Sequence, residues 1–531
     1  MAGVISVVCS PITYKVNLRS NSRLEAGRSS LNPKRCTKRT IRQQRANLQI
    51  NAVMQTSTPV ANLGEVVMQS SEEDSKWILP AIEARPGTLD SEHFQEGDSV
   101  AYWKAYKSPN AEMDSFASKL QEQMADIQAE FGSPQDVPYW SYHLMRTSFF
   151  SVQGAVGVLA AQLQGGSLFK NREGGTDLGA ALPAAGRLML EAVAVFSQDY
   201  RNIQRGMYKA PYDMDPAHRQ FNPAYILDKS QRFISEAVAT IKRRDAKAST
   251  DVWNQDSSMY PRYFRHTFHY QGDGWFSDES AKVYEASTET LFVGRQDAMQ
   301  RHTLVPFSKF MQGREEASTR VLEIGCGTGR FHTFLKDSFP KLSTVCSDLS
   351  PFYLAEARRN YQYWEQFRGT NEAGPTQFVQ ANAEDLPYKD ASFDCVVSVY
   401  MFHELPAPAR RAVMAEAARV LVDGGMFILT DSVQLGDRPF QDETIGNFGN
   451  FAEPHYRGYI RENFGTLCRE FGFVAHEKET ASSTKVLSFI KKSSAGGDEP
   501  TPGDDPAMEQ SVAHVVRPTL AAVQVDEKSE V

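Results

Sequence analysis

Residues 321–330 read Val-Leu-Glu-Ile-Gly-Cys-Gly-Thr-Gly-Arg. Val321, Leu322 and Ile324 make a short apolar run that Gly325, Gly327 and Gly329 end. Phe331, Phe334, Leu335 and Phe339 follow at helical spacing, so the stretch reads as strand, glycine turn, helix. That order opens a nucleotide-binding α/β unit. Glycine is required where a ligand lies against the backbone and where the turn needs positive φ. The spacing is G-x-G-x-G, which differs from the G-x-G-x-x-G of dinucleotide enzymes.

Working outward, a second β-like run, Ser343 to Ser347, ends at Asp348, about twenty residues past the turn. An acidic residue there is placed to accept hydrogen bonds from both ribose hydroxyls of a nucleoside. A third run, Gln377 to Gln380, leads into Ala-Asn-Ala-Glu-Asp-Leu-Pro at 381–387, and a fourth, Phe393 to Val399, into Tyr-Met-Phe-His-Glu-Leu-Pro at 400–406. In this order the motifs E-I-G-C-G-T-G-R, S-D-L-S-P, A-N-A-E-D-L-P, S-F-D-C-V-V-S and R-V-L-V-D-G-G resemble the class I S-adenosylmethionine-dependent methyltransferases, in the type 11 branch that includes the ubiquinone and menaquinone methylases. The resemblance covers roughly residues 320–492.

It implies a Rossmann-like sheet of seven strands, parallel except for one, within a methyltransferase domain at 256–492. S-adenosylmethionine is the implied cofactor. Gly325, Gly327 and Gly329, with Cys326 among them, are expected to admit its methionine part. Glu323 is expected as a polar anchor behind the loop, Asp348 at the ribose, Leu349 beside the adenine, Asn382 and Ala383 at the adenine edge, and Tyr400 near the cofactor. Asn382 stands where the family often has Asp and keeps a carbonyl acceptor. Methyl transfer needs a general base only if the acceptor must lose a proton; His403 is the candidate, with Glu404 to orient it. The chain departs from the quinone methylases here, since their F-G-x-R-N segment is replaced by Y-M-F-H-E-L-P. The D/N-P-P-Y motif of nucleic-acid or protein-amide N-methylation is absent.

Residues 1–64 hold ten Lys or Arg and one acid, Glu25, a balance of +9 against −8 for the whole chain, so the remainder carries −17. A basic, acid-poor, Ser-containing leader reads as a transit peptide. We expect it to span 1–52, with a disordered linker at 53–76. The first fourteen residues carry no charge, which favours the chloroplast, stromal or thylakoid-associated, over the mitochondrion. The acidic body argues against nucleic acid as partner. The six cysteines lie at no metal-like spacing.

Residues 77–251 read as a helical domain: Glu112 to Phe131, Tyr139 to Leu163, Ala180 to Tyr208 and Pro223 to Arg244, the last capped by Asn222, with Leu227, Ile234, Val238 and Ile241 inward. Its apolar run Phe149 to Leu163 is too short for a membrane span and reads as a buried helix, so no transmembrane segment is expected and membrane contact would be peripheral. An aromatic stretch follows at 260–277. Tyr263, His266, Tyr270 and Trp275 serve there as a lid over the cofactor and substrate, whose sulfonium is drawn to ring faces, or they pack the domains together. His266 and His269 have no ligand partners at sequence spacing, so no metal is expected. From Ser493 to the end, Gly, Pro, Asp, Glu and Ser mark a disordered tail. The expected function is methyl transfer to a small aromatic or isoprenoid plastid metabolite. The alternative is a methyltransferase-fold assembly or regulatory factor of the organelle. Oligomeric state is not legible.

Overall fold

Leu322 and Ile324 point to one face of the sheet, and Val321 to the other, as the period of a strand demands. The structure is a computed structural model, which describes residues 89, 93–107, 113–163, 178–246, 259–369 and 373–492. The expected leader, its linker and the C-terminal tail lie outside them. In chain order the strands are β1 Gln95–Glu96, β2 Arg320–Ile324, β3 Ser343–Asp348, β4 Thr376–Gln380, β5 Phe393–Val399, β6 Leu421–Ser432, β7 Phe473–Ala481 and β8 Thr484–Lys491. The α-helices of six residues or more are α1 Asp98–Ala105, α2 Met113–Glu130, α3 Val137–Leu163, α4 Leu178–Gln204, α5 Pro223–Asp245, α6 Asp278–Leu291, α7 Gln296–Arg301, α8 Leu304–Met311, α9 Arg330–Ser338, α10 Pro351–Arg368, α11 Ala407–Val420 and α12 Phe464–Glu470.

One mixed sheet runs β1-β7-β8-β6-β5-β2-β3-β4. Only β8 is antiparallel to its neighbours, β6 and β7. The glycine-turn strand β2 is interior, between β5 and β3. The expected seven strands are eight, because Gln95 and Glu96 pair in parallel with Glu477 and Lys478. Two residues carry too little periodicity to read as a strand.

Leu322 and Ile324 pack with Val396, Phe402 and Leu429, while Val321 packs with Phe331, Phe334 and Leu335 of α9. Each such side chain contributes about 1.5–3 kcal/mol on full burial. The helical segment shares these interiors. Tyr208 and Tyr212 join the α9 cluster, and Ala192 to Phe196 of α4 pack with Trp103, Ala298 and Met299. Where a separate helical domain was expected, the described residues fall in one compact unit.

Two helical expectations need correction. Leu227 is exposed, and Phe233 takes the inward position on α5 instead; Asn222 does cap that helix, accepting from Ala224 N. On α3, Met145, Phe149, Val152, Val156, Leu159 and Leu163 are exposed rather than buried. They recur every three or four residues and form one stripe. The opposite side packs tightly, since a Cβ on Gly157 would meet Phe233 at 3.1 Å. Val137–Ala161 is long and apolar enough to cross a membrane by length and composition.

Candidate active site

The loop after β2 is built from three left-handed glycines, with φ of 64°, 55° and 71° at Gly325, Gly327 and Gly329. They serve different ends. A Cβ on Gly325 would sit 2.6 Å from Met401 Sδ, and one on Gly329 would sit 2.9 Å from Ala357 Cβ. Those two glycines admit the protein's own neighbours. Of the three, only Gly327 faces open space, with nothing within 4 Å of an added Cβ. Cys326 is buried beneath the turn, packed with Cys346, Leu354 and Ala357. Glu323 is buried and faces His332 Nδ1 at 3.0 Å, which makes it an anchor between β2 and α9.

Asp348 closes β3. Its Oδ2 accepts from Gly327 N at 2.8 Å and its Oδ1 from Ser350 N at 2.8 Å, so the carboxylate also shapes the loop. Burial pushes its pKa up to about 6, against the pull of those two N–H groups. Each oxygen keeps a lone pair for a ribose hydroxyl. Leu349 packs with Tyr260 and Phe276 of the aromatic stretch. Asn382 Oδ1 already accepts from Glu384 N at 3.0 Å, leaving one lone pair for an adenine amine, and Ala383 packs against the core beside it. Open space at Gly327, a carboxylate with lone pairs to spare and an apolar wall fit S-adenosylmethionine.

The aromatic stretch crosses the carboxyl ends of the strands. Tyr263 donates to Glu384 Oε1 at 2.6 Å, and Gln380 Nε2 reaches Tyr260 Oη at 2.9 Å. Trp275 stacks on Phe268 at 5.4 Å and meets Tyr353 edge-on. His266 lies 4.0 Å from the Phe268 ring. Tyr270 points its carbonyl at Arg243 Nε, 2.6 Å away, so it ties the stretch to α5.

Beyond β5, Phe402 plugs the core and sets His403 and Glu404 on a single 3-10 turn. His403 Nδ1 lies 2.6 Å from Asp431 Oδ1, and its backbone N–H donates to Oδ2 of the same residue. Asp431, near the end of β6, is fully buried. Burial alone would lower the imidazole pKa, but Asp431, with Glu404 and Glu453, holds it up to about 10. The neighbouring carboxylates thus favour the protonated ring. His403 Nε2 faces Glu404 Oε1 at 3.6 Å and Glu453 Oε2 at 4.0 Å. Tyr400 has left-handed φ of 54° and shares a hydrogen bond with Thr484 Oγ1 at 2.6 Å, which ties it to β8.

On the other side of the loop, Arg330 opens α9. Its guanidinium pairs with Asp213 and, at 2.5 Å, with Asp297. Arg146 of α3 shares Asp297 at 2.6 Å and Glu289 at 2.8 Å. A cavity of about 240 Å³ adjoins this network, walled by Phe149, Phe150, Tyr225 and Thr328 among others. Asp431 and Glu453 beside His403, and these partners of Arg330, are residues that the sequence reading did not single out. Asp431 alone carried a signal, an acid at the end of an apolar strand.

A strand–glycine turn–helix with an acid closing the next strand, in a sheet of this order, defines a Rossmann-like nucleoside-binding enzyme. Residues 321–425 match the family described as methyltransferase domain. The chain is 34% identical over 210 residues to malonyl-[acyl-carrier protein] O-methyltransferase of Geobacter sulfurreducens, covering 36% of this chain and 72% of that one. It is 32% identical over 177 residues to demethylmenaquinone methyltransferase of Thermus thermophilus, covering 33% and 72%. Fatty-acid O-methyltransferase of Mycolicibacterium smegmatis is 31% identical over 151 residues, 28% of this chain and 51% of that protein, so the chain spans about half its length. The chain belongs to the class I S-adenosylmethionine-dependent methyltransferases, in the type 11 branch.

Proposed function

We propose that this chain methylates an ionised oxygen, a carboxylate or phenolate, on a small aromatic or isoprenoid metabolite of the plastid. The observation that carries this reading is His403, braced by the buried Asp431 at the carboxyl ends of β5 and β6. When bound, S-adenosylmethionine supplies an electrophilic methyl group on a sulfonium. The chain's residues do the rest. Gly327 leaves room for the cofactor and Asp348 holds its ribose. His403 presents Nε2–H to the acceptor oxygen and keeps its proton, so an acceptor that arrives ionised needs no separate base. The aromatic stretch covers the strand ends and excludes water, which strengthens that charged contact. Two of the relatives named above are O-methyltransferases by name, of a fatty acid and of malonyl-[acyl-carrier protein], and this supports an acidic oxygen acceptor.

The test is purified protein incubated with plastid extract and methyl-labelled cofactor. Label should enter small acidic or phenolic compounds and should fall strongly with His403→Asn. Label no higher than in a boiled control would overturn the reading. The plastid assignment rests on the basic leader; a fluorescent fusion of residues 1–64 should enter chloroplasts, and a uniform cytosolic signal would count against it.

A further inference from the structure

We infer that His269, Glu404 and Glu453 bind one divalent transition-metal ion beside the proposed acceptor position. The three residues come from separate stretches of chain: the aromatic stretch, the turn after β5 and the loop before Tyr456. One ligand atom from each lies within 4.8 Å of the other two. Metal–donor bonds of about 2.0–2.2 Å place neighbouring donors some 3–4 Å apart, so a small contraction closes the site. The His269 ring already stands between the carboxylates, with Nε2 at 3.2 Å from Glu404 and Nδ1 at 2.7 Å from Glu453.

A second observation points the same way. The Glu453 side chain is wholly buried. Its Oε1 has the His269 contact, but among the described residues its Oε2 has no hydrogen-bond partner, and Glu404 Oε2 is equally without one. Buried carboxylates left in that state are costly, and a cation satisfies both. Glu404, Glu453 and Asp431 also bring three acids against two imidazoles. The donor set, one imidazole and two carboxylates, suits zinc, manganese or iron. Three protein ligands leave coordination positions open, where an acceptor's oxygens can bind next to His403. His403 and Asp431 lie just outside the ligand set, with His403 Nε2 3.6 Å from Glu404, and outer partners of this kind orient ligands. Sequence spacing hid the site because Glu404 lies 135 residues from His269.

Ion binding does not depend on methyl transfer, so the two are tested separately. The full chain, stripped with chelator, is titrated with Mn²⁺ and with Zn²⁺ by calorimetry without cofactor. One ion should bind per chain. Glu453→Gln and His269→Gln should each weaken binding by at least about tenfold, with cofactor affinity kept. If Glu453→Gln does not fold, the visible spectrum of Co²⁺ bound to wild type, compared with His269→Gln, decides the matter: the band should vanish in the variant. Failure of any of these ions to saturate a site, or binding unchanged in the variants, would overturn the inference. A chain that binds metal but not cofactor would sink the methyl-transfer reading and leave this one standing.

Discussion

Replacing Asp348 by Asn separates what the carboxylate does for the cofactor from what it does for the fold. Its two oxygens each accept a backbone N–H, from Gly327 and from Ser350. Removing the side chain altogether would therefore free the loop it shapes, and folding would not be indifferent to the change. Asn keeps one acceptor. Losing the other charge-assisted bond costs about 1.5–3 kcal/mol. Against this, burial lifts the carboxyl from 3.8 to about 6. At about 1.4 kcal/mol per pH unit, that penalises the ionised apo protein by about 3 kcal/mol. The sign follows from the folded value lying above the unfolded one: the contribution is full below pH 4 and is lost as pH rises through 6. Asn removes the penalty, so the two effects nearly cancel and the melting temperature should move by only a few degrees. Cofactor binding has no such compensation. Weakening even one charged bond to the ribose, at about 1.5–3 kcal/mol, lowers affinity about tenfold or more. Calorimetry and thermal unfolding from pH 5 to 8 read both quantities. Wild-type affinity should fall by about tenfold per pH unit below about 6, and the variant's affinity should stay flat. Wild-type affinity that ignores pH, or a variant that binds as tightly as wild type, would refute the assignment of the ribose to Asp348.

Gly327→Ala and Gly329→Ala should part company. Both place Ala in a left-handed position costing about 1–2 kcal/mol, but only Gly329 also meets Ala357 Cβ at 2.9 Å. Melting should fall further for Gly329→Ala, while Gly327→Ala should lose cofactor affinity with the smaller melting change. Arg330→Gln leaves the buried Asp213 without its guanidinium and strips one from Asp297; urea unfolding should show a loss of about 3–5 kcal/mol. His403→Asn should bind cofactor within about twofold of wild type and turn over about 100-fold more slowly, measured by steady-state transfer of labelled methyl groups.

Most of the sheet was legible because its information is local. Val321 to Arg330, Ser343 to Asp348 and Phe393 to Val399 each carry strand periodicity and an ending within ten residues, and the structure places them as read. Asp348 was legible as a strand end for the same reason. The acceptor side was not. Asp431 looks like the tail of an apolar strand, and Glu453 sits in a polar, aromatic loop with no period. Their meaning appears only when β6 lies beside β5 and the loop folds back on His403. The stripe on α3 misled because apolar length alone does not say which side of a helix will be covered.

The edge pairing of Gln95 with Glu477 has a bearing on how the chain is made. At ribosomal speeds of about 5–20 residues per second, the interval between the emergence of those two residues is roughly 20–80 s. During that time the helices have been released, while β2 and α9, which share a core with Tyr208 and Tyr212, follow only after residue 319. Contacts this distant along the chain are slow to close. The α4 contacts with Trp103, Ala298 and Met299 need only residues up to 299, so the edge strand β1 waits for its partner while the helices beside it already have theirs.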